Sequence, residues 1–206
     1  MKIQEFLDGK DYVILDNFLS DELVNKVYKQ LTASDFPYYF SEKTLAKSIK
    51  DSYFNKGIRT TEDDRVLDYC MFNHYFYDTS STTKELSGFN IANDMLDFMI
   101  RKFDLTDLVI YKVKANLTTQ ALNATKDNFA EPHIDVRDSK HIGLIYYVND
   151  SDGDTFLFDD KLNIKEIVTP KKGRVLIFNG HILHSAGHPI NNSKRIVINF
   201  DFKNDD

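Results

Sequence analysis

The hydrophobic pattern of the first half of the chain predicts helices. Residues 12–15 form a short apolar run that predicts one strand, and Ser20 is a suitable helix N-cap because its hydroxyl can accept a backbone N–H of the first turn. Apolar residues then recur at helical spacing as far as Leu31, and again over residues 83–103. The apolar face of this second predicted helix consists of Leu86, Phe89, Ala92, Met95, Leu96, Met99, Ile100 and Phe103.

After residue 106 the pattern changes to short β runs with turn sequences between them. Residues 117–130 are mostly polar and are predicted to form a long connection between strands. Residues 36–82 predict loops with short helices or strands that pack over the core. Helices followed by regularly spaced strands predict a mainly β fold, a helix-supported β-barrel or jelly roll. The predicted strands are residues 108–114, 133–135, 142–148, 155–158, 166–168, 174–178 and 194–202.

The organisation and composition favour one globular domain. No repeat or linker is visible, so residues 1–206 are predicted to form a single domain, with residues 1–106 as helix-rich support and cover and 107–206 as the β core. The net charge of −6 argues against a nucleic-acid partner, which favours a basic protein face. Cys70 is the single cysteine, which excludes an internal disulfide. The first residues are too polar for a signal peptide and no apolar run has the length of a membrane span, so we expect a cytoplasmic protein without a membrane partner.

Candidate metal ligands lie in two separated stretches. His133 and Asp135 are two residues apart, which on a strand places both side chains on one face. A third ligand can come from His184, after the Gly-led strand, and two imidazoles with one carboxylate form the facial triad of non-haem Fe(II) oxygenases. Arg195 begins the last strand and offers a planar fork that suits a dicarboxylate. Period-two counting separates Arg195, Val197, Asn199 and Asp201 from the apolar face formed by Ile196, Ile198, Phe200 and Phe202.

With these residues the chain resembles the prolyl 4-hydroxylase-like branch of the Fe(II)/2-oxoglutarate-dependent dioxygenases, over about residues 108–202 and more weakly over 13–20. The resemblance implies a double-stranded β-helix with helices packed on the major sheet. It also implies that His133, Asp135 and His184 are the catalytic metal ligands. His181 and His188 compete for the distal role, and His184 fits the family spacing to the arginine best. The implied cofactors are Fe(II), 2-oxoglutarate and O₂, with ascorbate as a candidate reductant.

The same resemblance implies a set of co-substrate contacts. Arg195 corresponds to the arginine that binds the C5 carboxylate of 2-oxoglutarate, and Tyr147 to a tyrosine that hydrogen-bonds the same carboxylate. Tyr111 and Asn116 lie on or after the strand that often adds a polar contact, although the long connection after it departs from the family pattern. Asn199 shares the predicted face of Arg195 and is a second polar candidate.

The implied reaction is hydroxylation of an unactivated C–H bond, coupled to oxidative decarboxylation of 2-oxoglutarate to succinate and CO₂. Two alternatives use the same ligands: a cupin-like metal or small-ligand-binding protein without redox catalysis, and a zinc hydrolase. Neither requires a buried arginine, so Arg195 favours the oxygenase. The substrate stays open between a small molecule and a protein side chain, and residues 36–82 and 117–130 are expected to border the mouth of the site. His74 and His141 are interpreted as structural or surface histidines.

Overall fold

The computed structural model describes Lys2, Ile3, Leu7 and residues 9–42, 64–67, 69–79, 90–105, 108–136 and 141–204. These residues contain two helices, α1 (Asp21–Leu31) and α2 (Asn90–Lys102). The strands they contain are β1 (Tyr12–Leu15), β2 (Tyr39–Ser41), β3 (Met71–Asp78), β4 (Leu108–Thr119), β5 (Ile142–Tyr147), β6 (Thr155–Phe158), β7 (Ile164–Val168), β8 (Val175–Asn179), β9 (His184–Ala186) and β10 (Lys194–Asn204).

Helix α1 begins and ends as its sequence predicts. The Ser20 hydroxyl accepts the Leu23 backbone N–H at 3.4 Å, which satisfies one of the free donors of the first turn. At the other end the Thr32 hydroxyl donates to the Tyr28 carbonyl at 2.7 Å. The helix buries Val27 and Leu31, one turn apart, against the core.

Helix α2 confirms most of the predicted apolar face. Residues 83–89 of the prediction, which include Leu86 and Phe89, lie outside the described residues. Ile100 was wrongly assigned to the buried face, because it follows Met99 by one residue, which turns it about 100° around the helix, and it is 54% exposed. The buried residues of the helix are Ile91, Ala92, Met95, Leu96 and Met99.

The strands form two antiparallel sheets that face each other. The major sheet has the order β1-β8-β5-β10-β4-β3-β2, and the minor sheet has the order β7-β6-β9. Residues 129–133 extend the minor sheet beside β9 through isolated bridges at Phe129 and His133. From β4 onward the chain therefore crosses repeatedly between the sheets, and only β6 and β7 are consecutive neighbours in one sheet. This is the winding of a double-stranded β-helix, so the predicted fold class is confirmed.

Two predicted boundaries in this region differ from the structure. Residues 133–135 do not form a regular strand, because only His133 is bridged and Asp135 lies in a bend. Strand β4 continues to Thr119 because its whole length pairs with β10, so the long connection begins later than predicted. Of the predicted cover 36–82, strands β2 and β3 extend the major sheet, and residues 43–63, 68 and 80–82 lie outside the described residues.

The two faces of the major sheet have different surroundings. Its outer face carries the main hydrophobic core, in which Ile198 and Phe200 of β10 are fully buried with residues of both helices, as the period-two pattern predicts. Its inner face looks into the barrel, where Tyr147, Leu176 and Val197 form a second cluster with Leu157 of the minor sheet. In the described part of the chain, no helix has the length and apolar character needed to cross a membrane.

Candidate active site

Backbone pairing brings the two candidate histidine ligands together. His133 and His184 exchange both backbone hydrogen bonds, each at 2.9 Å, so their side chains are direct cross-strand neighbours. Asp135 follows in the bend, and its carboxylate oxygens lie 3.2 Å from His184 Nε2 and 3.8 Å from His133 Nε2. One ligand atom from each of the three residues lies within 4.8 Å of the others.

The backbone orients both imidazoles toward the centre of this group. Nδ1 of His133 lies 3.0 Å from the Glu131 carbonyl, and Nδ1 of His184 lies 3.4 Å from the Ile182 carbonyl. Because a carbonyl can only accept, each Nδ1 carries the hydrogen and each Nε2 presents its lone pair to Asp135 and to the space between the rings. In both cases the acceptor is the carbonyl two residues earlier in the chain.

Burial and mutual charge set the ionisation of the three groups. Burial, with a contribution from His184, lowers the pKa of His133 to about 4. Burial opposes ionisation of Asp135, but the adjacent His184 outweighs it and holds the pKa of Asp135 well below its ordinary value. Burial also opposes protonation of His184, yet the Asp135 carboxylate raises the pKa of His184 overall. The group therefore contains an ionised carboxylate that attracts positive charge to its centre.

The two competing histidines lie elsewhere. His181 is exposed in the turn after β8. His188 lines the same cavity, but its Nε2 lies 3.0 Å from the Leu67 carbonyl and its ring packs edge-on against Tyr69 at 4.4 Å. Among the described histidines, His184 is thus the one that joins His133 and Asp135.

The remaining two histidines are buried away from the cavity. His74 contacts the Pro37 carbonyl through Nδ1 at 2.9 Å and lies between aromatic rings of the core. His141 packs so tightly over Gly180 that a Cβ at this glycine would collide with the imidazole. Neither is among the described residues that line the cavity.

A second polar group surrounds Arg195. The Thr155 hydroxyl oxygen accepts hydrogen bonds from Arg195 Nη2 at 2.8 Å and from the Tyr147 hydroxyl at 2.7 Å. The Thr155 hydrogen is therefore available to another acceptor. Arg195 is 3% exposed, its Nε has no partner among the described residues, and burial lowers the pKa of its guanidinium. A desolvated cation with free donors is a site for an anion.

One cavity of about 170 Å³ joins the two groups. The triad, Thr155 and Arg195 all line it, as do Asn116 and Asn199 from the predicted set. Tyr147 does not line it. Its hydroxyl reaches Arg195 through Thr155, and its ring centroid lies 5.9 Å from the Arg195 guanidinium carbon. Further lining side chains come from β4 and β10, which pair with Thr118 opposite Arg195, Asn116 opposite Val197 and Lys114 opposite Asn199.

Tyr111 is not brought into this group. It is skipped in the pairing between β4 and β10, where the register shifts, and its ring lies 4.0 Å from the Lys203 ammonium. Tyr111 is also five positions from Asn116, so on one strand the two side chains point to opposite faces.

Residues 119–203 match the sequence model of the 2OG-Fe(II) oxygenase superfamily. This stretch includes His133, Asp135, His184 and Arg195. This part of the chain is therefore similar to the 2OG-Fe(II) oxygenase superfamily. No curated protein sequence matches it.

Several solved structures share the fold at low sequence identity. An oxidoreductase of the 2OG-Fe(II) oxygenase family from Burkholderia pseudomallei superposes with a TM-score of 0.66 at 11% identity, over 97% of this chain and 88% of that one. A Trichoplax adhaerens prolyl hydroxylase in complex with a hypoxia inducible factor peptide gives 0.61 at 17% identity, over 97% and 86%. A Pseudomonas putida prolyl-4-hydroxylase gives 0.55 at 14%, over 98% and 97%. These likenesses show that the fold is shared.

The sequence analysis missed several polar residues of this cavity. Thr155 was predicted only as the first residue of a strand and was given no role in the site, although Arg195 donates a hydrogen bond to it. A signal for the others was present in β4, where polar and apolar residues alternate as expected for a strand with one polar inner face. The polar members of this alternation, all lining the cavity, are Lys112, Lys114, Asn116 and Thr118.

Proposed function

We propose that this oxygenase hydroxylates an unactivated C–H bond of a small-molecule or protein side-chain substrate while 2-oxoglutarate is oxidised to succinate and CO₂. One observation carries the proposal. The inward-facing Nε2 atoms of His133 and His184 meet the Asp135 carboxylate on the same small cavity that exposes the free donors of Arg195. A dicarboxylate that chelates a metal requires metal ligands and a cation for its second carboxylate on the same cavity.

The chemistry of the donors fits Fe(II). Two imidazoles held by backbone carbonyls and one carboxylate form the 2-His-1-carboxylate set, which leaves the opposite positions of the metal open. His184 Nε2 and an Asp135 carboxylate oxygen lie 3.2 Å apart, close enough for one cation to bind both. We therefore assign His133, Asp135 and His184 as the metal ligands, and the two carbonyl contacts as the interactions that keep each Nε2 in place.

The residues around Arg195 fit the distal carboxylate of 2-oxoglutarate. Arg195 would donate from its free Nε and from the guanidinium fork, and Thr155 would donate the hydroxyl hydrogen that its present bonds leave unused. Thr118, opposite Arg195 on β4, adds a hydroxyl that has no partner among the described residues. Tyr147 would act indirectly, because its hydroxyl fixes Thr155.

Iron and 2-oxoglutarate together supply the oxidising chemistry with O₂, and the protein supplies binding, orientation and exclusion of water. Ile145 and Val197 contribute apolar surface to the cavity wall between the two polar groups. Such surface limits the water around the reacting groups. Ascorbate remains part of the proposal as a reductant that maintains Fe(II).

Composition supports the proposed location and partners. Cys70 is free and exposed, which supports a reducing, cytoplasmic environment where Fe(II) is stable. The net charge of −6 supports the absence of a nucleic-acid partner.

The proposal is tested by measuring succinate formation from 2-oxoglutarate with Fe(II), with Zn(II) and without metal. We expect turnover only with Fe(II) and O₂, and binding of 2-oxoglutarate to the Mn(II)-loaded protein by calorimetry. Failure of the Mn(II)-loaded protein to bind 2-oxoglutarate would favour the cupin-like binding protein. Hydrolytic activity of the Zn(II)-loaded protein without 2-oxoglutarate turnover would favour the zinc hydrolase.

A further inference from the structure

Two lysines on the inner face of β4 have different partners. Lys112 and Lys114 are two residues apart and both line the cavity. Lys112 Nζ lies 3.3 Å from a carboxylate oxygen of the fully buried Asp201. Lys114 forms no ion pair or hydrogen bond within the described part of the chain, and its ammonium lies 5.2 Å from the Tyr75 ring. The charge of Lys112 is therefore neutralised locally and that of Lys114 is not.

Lys114 is also held where it cannot move freely to the surface. Its strand lies inside the major sheet, and Lys114 is paired with Tyr75 of β3 on one side and with Asn199 of β10 on the other. Burial lowers the pKa of Lys114 to about 8, and the neighbouring Lys112 contributes to the shift. A half-buried ammonium without a carboxylate partner is costly, so its retention on a cavity wall suggests a role for an anion.

The charges around the cavity leave room for one such anion. The cationic side chains on the wall are Lys112, Lys114 and Arg195. Asp201 forms an ion pair with Lys112, and the charge of Asp154 acts on Arg195. Lys114 has no carboxylate at ion-pair distance among the described residues and contacts the Tyr75 ring instead, so it is the cation that an anionic ligand would pair with.

Lys114 lies in a different part of the cavity from Arg195. Arg195 pairs with Thr118, and Lys114 is four residues further along β4, a backbone separation of about 13 Å. The carbon chain of 2-oxoglutarate has four C–C bonds and extends over at most about 6 Å. Lys114 lines the same cavity as the metal-ligand candidates His133 and Asp135. A co-substrate anchored at Arg195 would therefore end at the metal, and Lys114 would face the space beyond it.

We propose that Lys114 and the facing amide of Asn199 bind a carboxylate of the primary substrate, so that the substrate is a small molecule with a monoanionic carboxylate close to the C–H bond that reacts. This inference rests on the proposed function and specifies its substrate class. Asn199 lines the cavity opposite Lys114, and its Oδ1 has no partner among the described residues, so the amide group is free to turn its N–H toward a ligand. A single ammonium matches a carboxylate better than a phosphate dianion.

The test measures binding to the protein loaded with Mn(II) and 2-oxoglutarate, a form that does not turn over. Short straight-chain and branched monocarboxylic acids are titrated calorimetrically, each beside its neutral primary amide. We expect at least one acid to bind the wild type more tightly than its amide. Lys114→Met should lower the affinity for that acid by roughly 10- to 150-fold and leave the affinity for the amide unchanged. Lys114→Arg should keep part of the preference.

Lys203→Met is the matched control, because Lys203 is also a β-strand lysine over a tyrosine ring, 4.0 Å from Tyr111, but lies outside the cavity lining. It should retain the full preference for the acid. The proposal is overturned if no acid binds the wild type better than its amide, or if the preference survives in Lys114→Met. It is also overturned if Lys114→Met lowers the affinity for 2-oxoglutarate as much as the affinity for the acids, since Lys114 would then bind the co-substrate. Loss of Mn(II) or 2-oxoglutarate binding by the wild type itself would instead contradict the proposed function.

Discussion

Arg195→Met should separate co-substrate binding from stability. In the absence of a ligand, the buried guanidinium has one hydrogen bond to a hydroxyl and no carboxylate partner among the described residues, and Thr155 keeps its hydrogen bond from Tyr147 when the arginine is removed. Replacing a buried charge by an apolar side chain of similar length is often neutral or stabilising. We therefore expect the free energy of unfolding of the ligand-free protein to change by no more than about 1 kcal/mol.

The effect on ligand binding should be large. Loss of one partner of a buried charge pair costs about 2–5 kcal/mol, which corresponds to roughly a 30-fold to several-thousand-fold loss of affinity for 2-oxoglutarate. At a ligand concentration of about 100 times the wild-type dissociation constant, 2-oxoglutarate stabilises the wild type by about 2.7 kcal/mol. The same concentration should stabilise Arg195→Met by less than about 1 kcal/mol.

The measurement is urea denaturation of the Mn(II)-loaded protein with and without 2-oxoglutarate. Arg174→Met is the control, since Arg174 makes a surface ion pair with Asp16, with Nε at 2.7 Å from a carboxylate oxygen, and should retain the full ligand effect. Undiminished stabilisation of Arg195→Met by 2-oxoglutarate would refute the assignment of Arg195 as the anchor. A ligand-free loss of several kcal/mol would show that the arginine serves the fold.

Three further predictions concern the metal centre and its surroundings. His184→Ala should abolish Mn(II) binding measured by electron paramagnetic resonance, whereas His181→Ala should retain it because this side chain is exposed. Asp201→Asn should lower the free energy of unfolding by about 3–5 kcal/mol, because it leaves Lys112 in a partly buried site without its carboxylate partner. The double variant Lys112→Met/Asp201→Leu should recover most of this loss. Thr155→Val should lower the free energy of unfolding by about 2–6 kcal/mol, since two buried donors lose their common acceptor.

Each of these predictions has an outcome that would contradict it. Normal Mn(II) affinity in His184→Ala would show that another residue completes the triad. A double variant at Lys112 and Asp201 no more stable than Asp201→Asn would show that the ion pair is not the source of the loss. For Thr155, the control is Thr79→Val, an exposed threonine whose hydroxyl donates to the Tyr111 carbonyl at 3.0 Å, and equal effects of the two variants would exclude a special role of Thr155.

The sequence predicted the elements whose patterns are local. Helix α1 was placed correctly because its cap and its apolar spacing are both written within a dozen residues. Strand β4 was cut short because its last residues are polar, and polarity was interpreted as a loop. These residues are polar because they face the inside of the barrel, so the environment that explains them exists only after β4 pairs with β10.

The sequence analysis identified the metal-ligand candidates by a spacing argument, and the structure brings them together in a different way. The spacing of His133 and Asp135 was interpreted as two positions on one strand, but Asp135 lies in a bend after the bridged His133. The two histidines meet because their backbones pair, and the sequence does not contain this register. The same holds for Thr155, which reaches Arg195 across the barrel from the minor sheet. Long-range pairing decides such contacts, and hydrophobic periodicity describes only which face a residue occupies.

The pairing of β4 with β10 arranges the cavity as successive cross-strand pairs. Thr118 with Arg195 would hold the distal end of 2-oxoglutarate, Lys114 with Asn199 would face the substrate, and Lys112 with Asp201 ends the series as an ion pair. The register shifts just beyond this last pair, between Asp201 and Phe202, where Tyr111 is skipped. A bulge within the series would turn the following side chains of β4 away from the barrel. The bulge lies beyond the Lys112–Asp201 pair, so the polar residues of β4 and β10 in these pairs all lie on the inner face of the sheet. Tyr111 is the first residue of β4 past the pairs, and its side chain leaves this face.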